Sequence, residues 1–363
     1  MKLSEIDFEL PLERIAQRPL EQRDASRLLL LDRASGAWED RRFRELPEIL
    51  RGNELMIVNN ARVLPARLFG MRTGIPAEAP GEQNPERAKH LQARIEVLLV
   101  RQLSADRWET LVRPGRKIPV GGRIVFGEGS LHAVVESRGQ YGSRVLRFHS
   151  TNGFDKALSH LGHIPLPPYI KRPDDPQDRE RYQTVYAKQG TAVAAPTAGL
   201  HFTTEILKNV RDRGVEIAEV TLDVGLGTFE PVRTERLEDH EIHAETYEIP
   251  PQTVEAIARA KRENRPILAI GTTVVRALED AAEKAARHGV AMNFGRDEAQ
   301  IFLYPGKPIR VVDQLLTNFH LPKSSLLALV ATLAGRESVL RAYQHAVQAN
   351  YRFYSYGDCM LIR

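Results

Sequence analysis

The stretch Pro266-Ile267-Leu268-Ala269-Ile270-Gly271-Thr272-Thr273 decides the fold of this chain. Its apolar run predicts a buried strand, and the glycine and two threonines predict the start of a helix that reaches about His288. Ligands of open α/β sheets bind at such carboxyl strand ends, where free backbone amides favour anionic groups. Arg276 follows in the first turn, where a cation opposes the helix dipole. A ligand contact and an ordinary surface arginine explain Arg276 equally well.

Predicted strands and helices alternate on both sides of this junction. Val215–Leu222 has the pattern of a strand, and Pro251–Asn264 that of a helix opened by proline. The alternation predicts an α/β domain with a mostly parallel or mixed sheet, a discontinuous catalytic domain made from residues 1–65 and 150–363. The other strands and helices predicted for it are Leu28–Leu31, Glu54–Val58, Thr204–Arg213, Ser324–Ala334 and Glu337–Asn350.

Residues 66–149 have a different pattern and predict an inserted domain. Short β-rich runs recur there at close spacing, separated by turn signals such as Pro114-Gly115, which is typical of a small antiparallel barrel. The segment Thr73–His90, rich in Pro, Glu, Ala and Gly, predicts a long solvated loop. The predicted fold is therefore a large mixed-sheet α/β domain with an inserted small antiparallel β-barrel domain. Its predicted barrel strands are Ala66–Met71, Ala93–Arg101, Arg107–Arg113, Gly122–Phe126, Ser130–Ser137 and Ser143–Phe148.

Composition limits the class of protein without identifying a partner. The 363 residues are 42% hydrophobic and 27% charged, as in ordinary globular enzymes, and the net charge of +4 permits nucleic-acid binding without requiring it. The single cysteine, Cys359, excludes an internal disulfide and a cysteine metal cluster. The chain start lacks a secretory signal, and the longest apolar run is shorter than the roughly 20 residues that cross a bilayer. We therefore expect a soluble, cytoplasmic protein.

The stretch Ala194-Ala195-Pro196-Thr197-Ala198-Gly199-Leu200-His201-Phe202 predicts a functional loop. Proline and glycine exclude a regular helix or a central strand there. Small residues let a ligand approach the backbone, and histidine exchanges protons near neutral pH. A tight structural turn is the alternative interpretation.

Two other stretches carry groups of chemical interest. Leu222–Phe229 contains the pair Gly225 and Gly227. No helix clearly follows this pair, so it does not match the dinucleotide-binding fingerprint. A hairpin or a bulge explains the two glycines at least as well as a binding loop does. Asp239–Glu245 clusters two histidines with three carboxylates. Without a supporting motif it is weak as a metal site, and proton transfer or contact with a polar substrate fits better. The two histidines would share one face of a helix but would point apart on a strand.

Two arginine-rich patches and an aromatic tail complete the candidates. Residues 18–27 and 59–67 hold arginines that can bind phosphates or carboxylates through bidentate forks, although a solvated charged face explains each patch as well. The tail 351–358 interleaves aromatic residues with Arg and Asp. Its rings can stack on a base or pack in the core.

Taken together, these segments resemble the S-adenosylmethionine:tRNA ribosyltransferase-isomerase family of the queuosine pathway. The likeness runs nearly end to end, apart from Thr73–His90, and long strings such as Leu315-Leu316-Thr317-Asn318-Phe319-His320-Leu321-Pro322 argue against a chance match. The other matching stretches are 7–11, 15–19, 23–28, 59–68, 115–117, 182–187, 196–202, 225–229, 271–273, 304–306, 312–313 and 351–362.

The resemblance implies an unusual reaction. The ribosyl part of S-adenosylmethionine is transferred to 7-aminomethyl-7-deazaguanine at the tRNA wobble position and isomerised, which gives epoxyqueuosine in tRNA and releases adenine and methionine. It also implies a large α/β domain with an inserted barrel, a monomer, and no metal or cofactor beyond the co-substrate S-adenosylmethionine.

Three positions depart from the family pattern. Asp223 occupies a position where relatives commonly carry His, so an essential proton role there is in doubt. Ile242 and Ala244 replace what are usually Met and Ser around His243, so a hydroxyl contact from position 244 is excluded.

The implied reaction requires side chains that remove and donate protons. A base must remove a ribose C5′ hydrogen next to the sulfonium, proton donation assists the departure of adenine, and the attacking amine must be neutral. The candidates for proton transfer, with His201 first, are His201, His243, Glu245, His320, Asp313 and Asp358. The candidates for substrate binding are Arg23, Asp24, Arg27, Asn59, Asn60, Arg62, Pro196, Thr197, Ala198, Gly199, Leu200, Phe202, Gly225, Gly227, Thr228, Gly271, Thr272, Thr273, Asn318 and Tyr356. The candidates for contact with tRNA phosphates are Arg113, Arg116, Lys117, Arg123, Lys171 and Arg172.

Two other classes of protein compete with this interpretation. A metal hydrolase would use the cluster at His240–Glu245, and a non-enzymatic RNA-binding module would use the barrel to bind RNA. The small-residue loop near His201 argues against the RNA-binding module, because RNA binding alone needs no confined pocket.

Overall fold

The computed structural model describes residues 1–73, 94–115, 118–139, 142–225, 232 and 234–363, without the side chains of residues 190 and 191. The chain divides into two compact units. The first, which we call the sheet unit, contains Met1–Arg62, Pro167–Pro173 and Glu180–Arg363. The second, the barrel unit, contains Val63–Leu166 and Asp174–Arg179.

The described residues form strands and helices throughout both units. The strands are β1 (Arg27–Leu31), β2 (Trp38–Arg42), β3 (Leu55–Asn59), β4 (Ala61–Val63), β5 (Arg67–Thr73), β6 (Arg94–Gln102), β7 (Arg107–Arg113), β8 (Arg123–Phe126), β9 (Leu131–Arg138), β10 (Ser143–Ser150), β11 (Gln189–Ala192), β12 (Glu216–Leu222), β13 (Glu245–Ile249), β14 (Ile267–Ile270), β15 (Gly295–Ala299), β16 (Gln314–Asn318) and β17 (Cys359–Ile362). The α-helices are α1 (Leu46–Ile49), α2 (Phe154–Leu161), α3 (Asp178–Arg181), α4 (Thr204–Asp212), α5 (Pro251–Arg262), α6 (Thr272–His288), α7 (Ser325–Ala334) and α8 (Arg336–Gln348).

A nine-stranded mixed sheet forms the centre of the sheet unit, in the order β15-β13-β12-β3-β14-β16-β17-β1-β2. The neighbours β12, β3, β14 and β16 run parallel, and β1 pairs parallel with β17. The remaining pairs are antiparallel. The predicted mixed α/β sheet is confirmed, including the participation of the two N-terminal strands.

The prediction from sequence omitted β2, β13, β15, β16 and β17. Strands β2 and β15 lie at the sheet edges and are mostly exposed and charged, so they lack the alternating apolar pattern that identifies a strand. Strands β16 and β17 are short and wholly buried, and periodicity does not distinguish such runs from buried helix.

The apolar core lies on both faces of this sheet. Strand β3 is buried along its whole length because helices cover both faces. Leu55 and Ile57 belong to the apolar cluster that packs against α5 to α8, whereas Met56 and Val58 belong to the cluster that packs against α1 and α4. This alternation follows from the two-residue repeat of a strand.

The junction between β14 and α6 turns at Gly271. Its φ of 94° lies in the region that favours glycine, since a side chain there clashes with the backbone. The turn places the first residues of α6 at the carboxyl edge of the parallel strands. The predicted strand, turn and helix to His288 are confirmed.

The barrel unit contains a closed barrel of antiparallel strands in the order β10-β7-β6-β5-β8-β9. The predicted barrel strands begin and end within two residues of the observed ones. Closure removes the free sheet edges that would otherwise pair with another chain. Helix α2 follows β10, and its Phe154 ring lies 4.9 Å from Phe148 and 5.8 Å from Trp108. The predicted fold class is confirmed. The predicted loop Thr73–His90 lies, after residue 73, outside the described residues.

Candidate active site

A cleft opens at the carboxyl edge of the sheet unit, where β14 and β16 end. Its enclosed volume is about 50 Å³. The residues that line it are Tyr169, Ala194, Ala195, Pro196, Thr197, Ala198, Val224, Gly271, Thr272, Thr273, Thr317, Asn318, Phe319, His320, Leu326, Tyr354 and Ser355. Among them are eight of the predicted site residues: Pro196, Thr197, Ala198, Gly271, Thr272, Thr273, Asn318 and His320.

The predicted loop around His201 is a single 3-10 turn, Thr197–His201. Its first residues line the cleft, but the His201 ring lines an adjacent small recess instead. His201 Nδ1 lies 2.7 Å from Ser26 Oγ, and the ring packs 5.3 Å from the ring of Phe43. Burial lowers the pKa of His201 to about 4, although the neighbouring Asn318 side chain acts in the opposite direction. His201 is therefore a neutral, buried side chain at neutral pH.

His320 is the proton-transfer candidate that lines the cleft. Its Nε2 lies 2.9 Å from Thr317 Oγ1, and its backbone N–H donates to the Tyr343 hydroxyl at 3.2 Å. Burial lowers the pKa of His320 to about 3. The imidazole is therefore neutral at neutral pH, and Thr317 fixes the orientation of the ring.

The cleft lining next to Asn318 and Phe319 contains residues that sequence reasoning missed. Tyr354 has a φ of 74°, which is rare outside glycine and costs backbone strain. Asn318 Nδ2 donates to the Tyr354 carbonyl at 2.9 Å, and Tyr354 N donates to the Phe319 carbonyl at 3.1 Å. The Tyr169 and Ser355 hydroxyls lie 2.5 Å apart. The aromatic tail was recognisable from sequence, but Tyr356 was the only one of its aromatic residues selected as a candidate.

Arg276 and Glu245 form a buried ion pair one turn further along α6 than Thr272 and Thr273. Arg276 also donates to the carbonyls of His243 at 3.2 Å and Ala299 at 3.3 Å, and Glu245 accepts from Gly225 N at 3.0 Å. Neither Arg276 nor Glu245 lines the cleft. The interpretation of Arg276 as a surface residue was wrong, because the residue is buried, and the interpretation as a ligand contact stays a prediction.

The structure also separates the other members of the predicted Asp239–Glu245 cluster. Residues 240–244 belong to no helix or strand, and Glu245 begins β13. The His243 side chain is exposed, so it does not share a buried environment with Glu245. His240 contacts the ring of Phe302 at 5.1 Å. The cluster therefore spans an exposed and a buried environment.

Asp313 and Asp358 both accept hydrogen bonds from backbone N–H groups, and neither lines the cleft. Asp313 accepts from Ile267 N at 2.9 Å at the amino end of β14, and a rise of about 3.3 Å per residue puts the carboxyl edge roughly 15 Å away. Asp358 accepts from the backbone N–H of Arg27 and of Arg352, each at 2.8 Å. Burial raises the pKa of Asp358. Both carboxylates stabilise strand ends.

The recess beside His201 contains three further predicted residues, Arg23, Leu200 and Tyr356. The Arg23 guanidinium is committed to carbonyls, with 2.8 Å to Gln183, 3.3 Å to Leu200 and 2.6 Å to Glu180. Burial lowers its pKa. Arg23 therefore holds the His201 turn in place.

The two predicted asparagines, Asn59 and Asn60, connect strands. Asn59 accepts from Leu222 N at 3.0 Å, and Asn60 donates to Glu219 at 2.9 Å. A Cβ at Gly199 would lie 2.1 Å from the Tyr186 hydroxyl, so glycine is required there by packing. The predicted substrate-binding residues outside both the cleft and the recess are Asp24, Arg27, Asn59, Asn60, Arg62, Gly199, Phe202 and Gly225. Gly227 and Thr228 lie outside the described residues.

The predicted tRNA contacts fall in both units. Arg113 and Arg123 are exposed in the barrel unit. Lys171 is exposed in the sheet unit, where Arg172 donates to the Gln17 carbonyl at 2.9 Å. Arg116 and Lys117 lie outside the described residues.

Comparison with known proteins decides the family. Residues 3–362 match the family described as queuosine biosynthesis protein. The chain belongs to that family. A curated relative from Solibacter usitatus, named S-adenosylmethionine:tRNA ribosyltransferase-isomerase, is 50% identical over 364 residues, and one of the same name from Desulfitobacterium hafniense is 46% identical over 362 residues. Each match covers 100% of both chains.

A solved member of the queuosine biosynthesis family has a similar structure. The crystal structure of S-adenosylmethionine tRNA ribosyltransferase from Thermotoga maritima is 35% identical, has a TM-score of 0.53, and covers 99% of this chain and 100% of its own. The resemblance found in the sequence is confirmed. The chain is therefore an enzyme of queuosine biosynthesis, a transferase-isomerase.

Two further findings, on metal binding and on membrane crossing, apply to the residues that the structure describes. Within those ranges, no group of three or more His, Cys, Asp or Glu side chains is arranged to hold a metal ion. In the same part of the chain, none of the helices combines the length and the apolar content that a membrane crossing requires.

Proposed function

We propose that this enzyme transfers and isomerises the ribosyl group of S-adenosylmethionine onto 7-aminomethyl-7-deazaguanine in tRNA. The products are epoxyqueuosine-tRNA, adenine and methionine. Family membership supports the reaction class, and the cleft at the start of α6 is the observation that carries the assignment of the site. We include in this proposal a cytoplasmic monomer that uses no metal and no cofactor other than S-adenosylmethionine.

The start of α6 suits the methionine end of the co-substrate. Free N–H groups at a helix start attract carboxylate, and the Thr272 and Thr273 hydroxyls stand in the same cleft. The first turn of α6 carries no acidic residue that would repel an anion. We assign the methionine carboxylate to this end of the cleft.

The other end of the cleft suits the nucleoside. Tyr354 and Tyr169 supply aromatic surface, and Asn318 supplies an amide on the same wall. His320 is our remaining candidate for proton transfer, because it is the proton-transfer candidate that lines the cleft. Its pKa of about 3 makes it a weak base, so this role requires a bound substrate that raises the pKa. The apolar residues of the cleft favour the uncharged form of the attacking amine.

Binding of the co-substrate must enlarge this cleft. Its enclosed volume of about 50 Å³ is well below the ~300–1,000 Å³ of typical small-molecule sites. Separating the walls of the cleft requires free energy, and this free energy reduces the affinity for S-adenosylmethionine.

The tRNA should bind mainly through its phosphates. Affinity led by phosphates is sensitive to salt, and the modest net charge of +4 predicts moderate affinity. The exposed Arg113, Arg123 and Lys171 are candidates for these contacts, together with Arg116, Lys117 and Arg172. Binding that is unchanged between low and high salt would contradict this part of the proposal.

The decisive experiment combines the protein, S-adenosylmethionine and tRNA that carries the aminomethyl precursor, and measures released adenine by chromatography. The matched control is the same tRNA with unmodified guanine at the wobble position. We expect adenine to appear only with the precursor, in equal amount to modified tRNA. No adenine, or adenine that is independent of the precursor, would overturn the proposal.

A further inference from the structure

A distal cavity of about 370 Å³ lies in the sheet unit between the second half of α6 and the segment 300–310. Arg287 lines it, and a rise of about 1.5 Å per residue puts Arg287 roughly 22 Å along the helix from Thr272 in the cleft. The cavity shares no lining residue with the cleft. It therefore takes no direct part in the reaction proposed above.

One wall of the distal cavity is aromatic. The rings of Phe302 and Tyr304 lie 5.4 Å apart, and His240 meets the edge of Phe302 at 5.1 Å. Phe302 and Tyr304 are partly buried and pack against the main core, which fixes their position while leaving surface in the cavity. Fixed aromatic faces are the usual stacking surface for nucleobases, because every base has a π face.

The acidic side chains of the distal cavity are already engaged. Glu279 accepts from the backbone N–H of Arg310 at 2.7 Å and from Val311 and Val312 at 2.9 Å each. Glu283 pairs with Arg287, and Glu238 pairs with the N-terminal amine. Cationic partners offset the charges of Glu283 and Glu238, whereas Glu279 keeps its charge and has its oxygens directed at backbone N–H groups.

Two cations of the same cavity are not engaged. In the part of the chain that the structure describes, neither Lys307 nor Arg310 has a carboxylate within ion-pairing distance of its side chain, and both are exposed. The Lys307 ammonium lies over the Tyr304 ring, 5.3 Å from its centre, so a base that stacks on Tyr304 uses the other face of the ring or takes the place of the ammonium. Gln300 adds an exposed amide at the rim, a group that can hydrogen-bond the edge of a base.

We propose that the distal cavity binds one nucleotide of the tRNA substrate, with its base against Tyr304 and Phe302 and its phosphate between Lys307 and Arg310. This inference rests on the proposed function for the choice of RNA. A free mononucleotide offers the same chemistry, but two exposed side chains without a cradle of backbone amides hold a lone phosphate weakly. A nucleotide within an RNA strand binds more tightly, because the other phosphates of that strand also contact the protein.

The first test removes the two cations in the full chain. We compare the variant Lys307→Ala/Arg310→Ala with Arg44→Ala/Arg211→Ala, which loses the same charge at exposed residues that line neither cavity. Affinity for precursor tRNA should fall about tenfold or more in the first variant, and the slope of log affinity against log salt should decrease by roughly 1 to 2. The KM for S-adenosylmethionine should not change. Equal affinity and slope in the two variants would overturn the inference.

The second test separates stacking from charge. Tyr304→Phe keeps the ring and should bind tRNA as the unmodified chain does, whereas Tyr304→Ala should weaken binding several-fold with an unchanged salt slope. Competition with AMP identifies the source of the nucleotide. Displacement of tRNA by micromolar AMP would assign the cavity to a free nucleotide and overturn the RNA assignment.

The two proposals fail separately. An unmodified chain that binds tRNA through this cavity but releases no adenine would remove the proposed function and retain this inference. If the unmodified chain is active and the variants bind tRNA as tightly as it does, this inference fails and the proposed function is retained. Thermal melting of each variant confirms that a loss of affinity is not a loss of folding.

Discussion

The first two turns of α6 use polar groups differently. The start of the helix borders the cleft through Thr272 and Thr273, and we call this its open side. One turn further along is the part that we call the closed side, where the Arg276 charge is buried against Glu245 and two backbone carbonyls. The Thr273 hydroxyl accepts a hydrogen bond from Asn59 Nδ2 at 3.4 Å. The comparison teaches that the charged residue near this helix start holds the structure, whereas the neutral Thr272 at the cleft is the group to test for contact with a ligand.

Breaking the closed side should give the largest effect. Glu245→Gln leaves the Arg276 charge buried without its partner, which costs about 3–5 kcal/mol of unfolding free energy. Urea unfolding measures this loss. The control is Asp212→Asn, which breaks the exposed pair with Lys208 and should leave stability unchanged within error. If Glu245→Gln instead lowers kcat in a fully stable protein, Glu245 belongs to the reacting groups.

Breaking the open side at His320 should mainly affect turnover. His320→Gln removes the proton-transfer group from the cleft and should lower kcat at least about a hundredfold, as loss of general acid–base help does. Adenine release at saturating substrates measures it. Asp313→Asn, at the amino edge, should retain turnover within about twofold because its contact is with a backbone N–H. Near-normal turnover of His320→Gln would remove His320 as a candidate.

A smaller change on the open side sharpens the comparison. Thr272→Val removes one hydroxyl from the cleft and should raise the KM for S-adenosylmethionine by up to about tenfold, the value of one hydrogen bond. Thr253→Val is the matched control, since this buried threonine in the first turn of α5 donates to the Glu219 carbonyl at 2.7 Å. That control should lower stability and leave KM unchanged. A raised KM in Thr253→Val together with an unchanged KM in Thr272→Val would contradict the assignment of the open side.

The last prediction concerns the free energy of unfolding, which should change with pH by the smallest amount when it is counted for each pH unit. Burial holds the pKa of His201 at about 4, below its ordinary value of 6.5, so the unfolded chain binds the proton more readily. Stability is therefore full above pH 6.5 and falls as the pH drops from 6.5 towards 4, by at most about 1.4 kcal/mol per pH unit for this group. His201→Gln should reduce the fall of the melting temperature over that pH range, and the part that His320 contributes should remain. The control His288→Gln, at an exposed position, should leave the profile unchanged. An unchanged profile in His201→Gln would show that His201 does not couple folding to protonation.

The sequence predicted the architecture well because local patterns determine it. The barrel strands are bounded by turn signals, and β14 with α6 is bounded by a glycine that the backbone requires. The charged edge strand β2 and the short buried strand β17 carry no such local signal. They form because a neighbouring strand is there to pair with them.

The candidate site was predicted in part. Pro196–Ala198, Gly271–Thr273 and Asn318 line the cleft as residue type and motif suggested. His201 has the right chemistry, but the direction of a side chain and its burial depend on distant residues such as Ser26. Tyr354 was missed because its left-handed backbone is set by tertiary contacts that a sequence does not display.

The backbone of Tyr354 has a consequence for engineering this enzyme. Glycine at position 354 would relieve the unfavourable φ, a gain of order 1 kcal/mol. It would also remove a ring whose centre lies 3.8 Å from that of Tyr169, and losing a packed aromatic side chain costs of order 3 kcal/mol. The strain at this position therefore cannot be engineered away with glycine, because the same side chain that strains the backbone supports the cleft wall. A selection for heat resistance and a selection for modified tRNA should both retain an aromatic residue here.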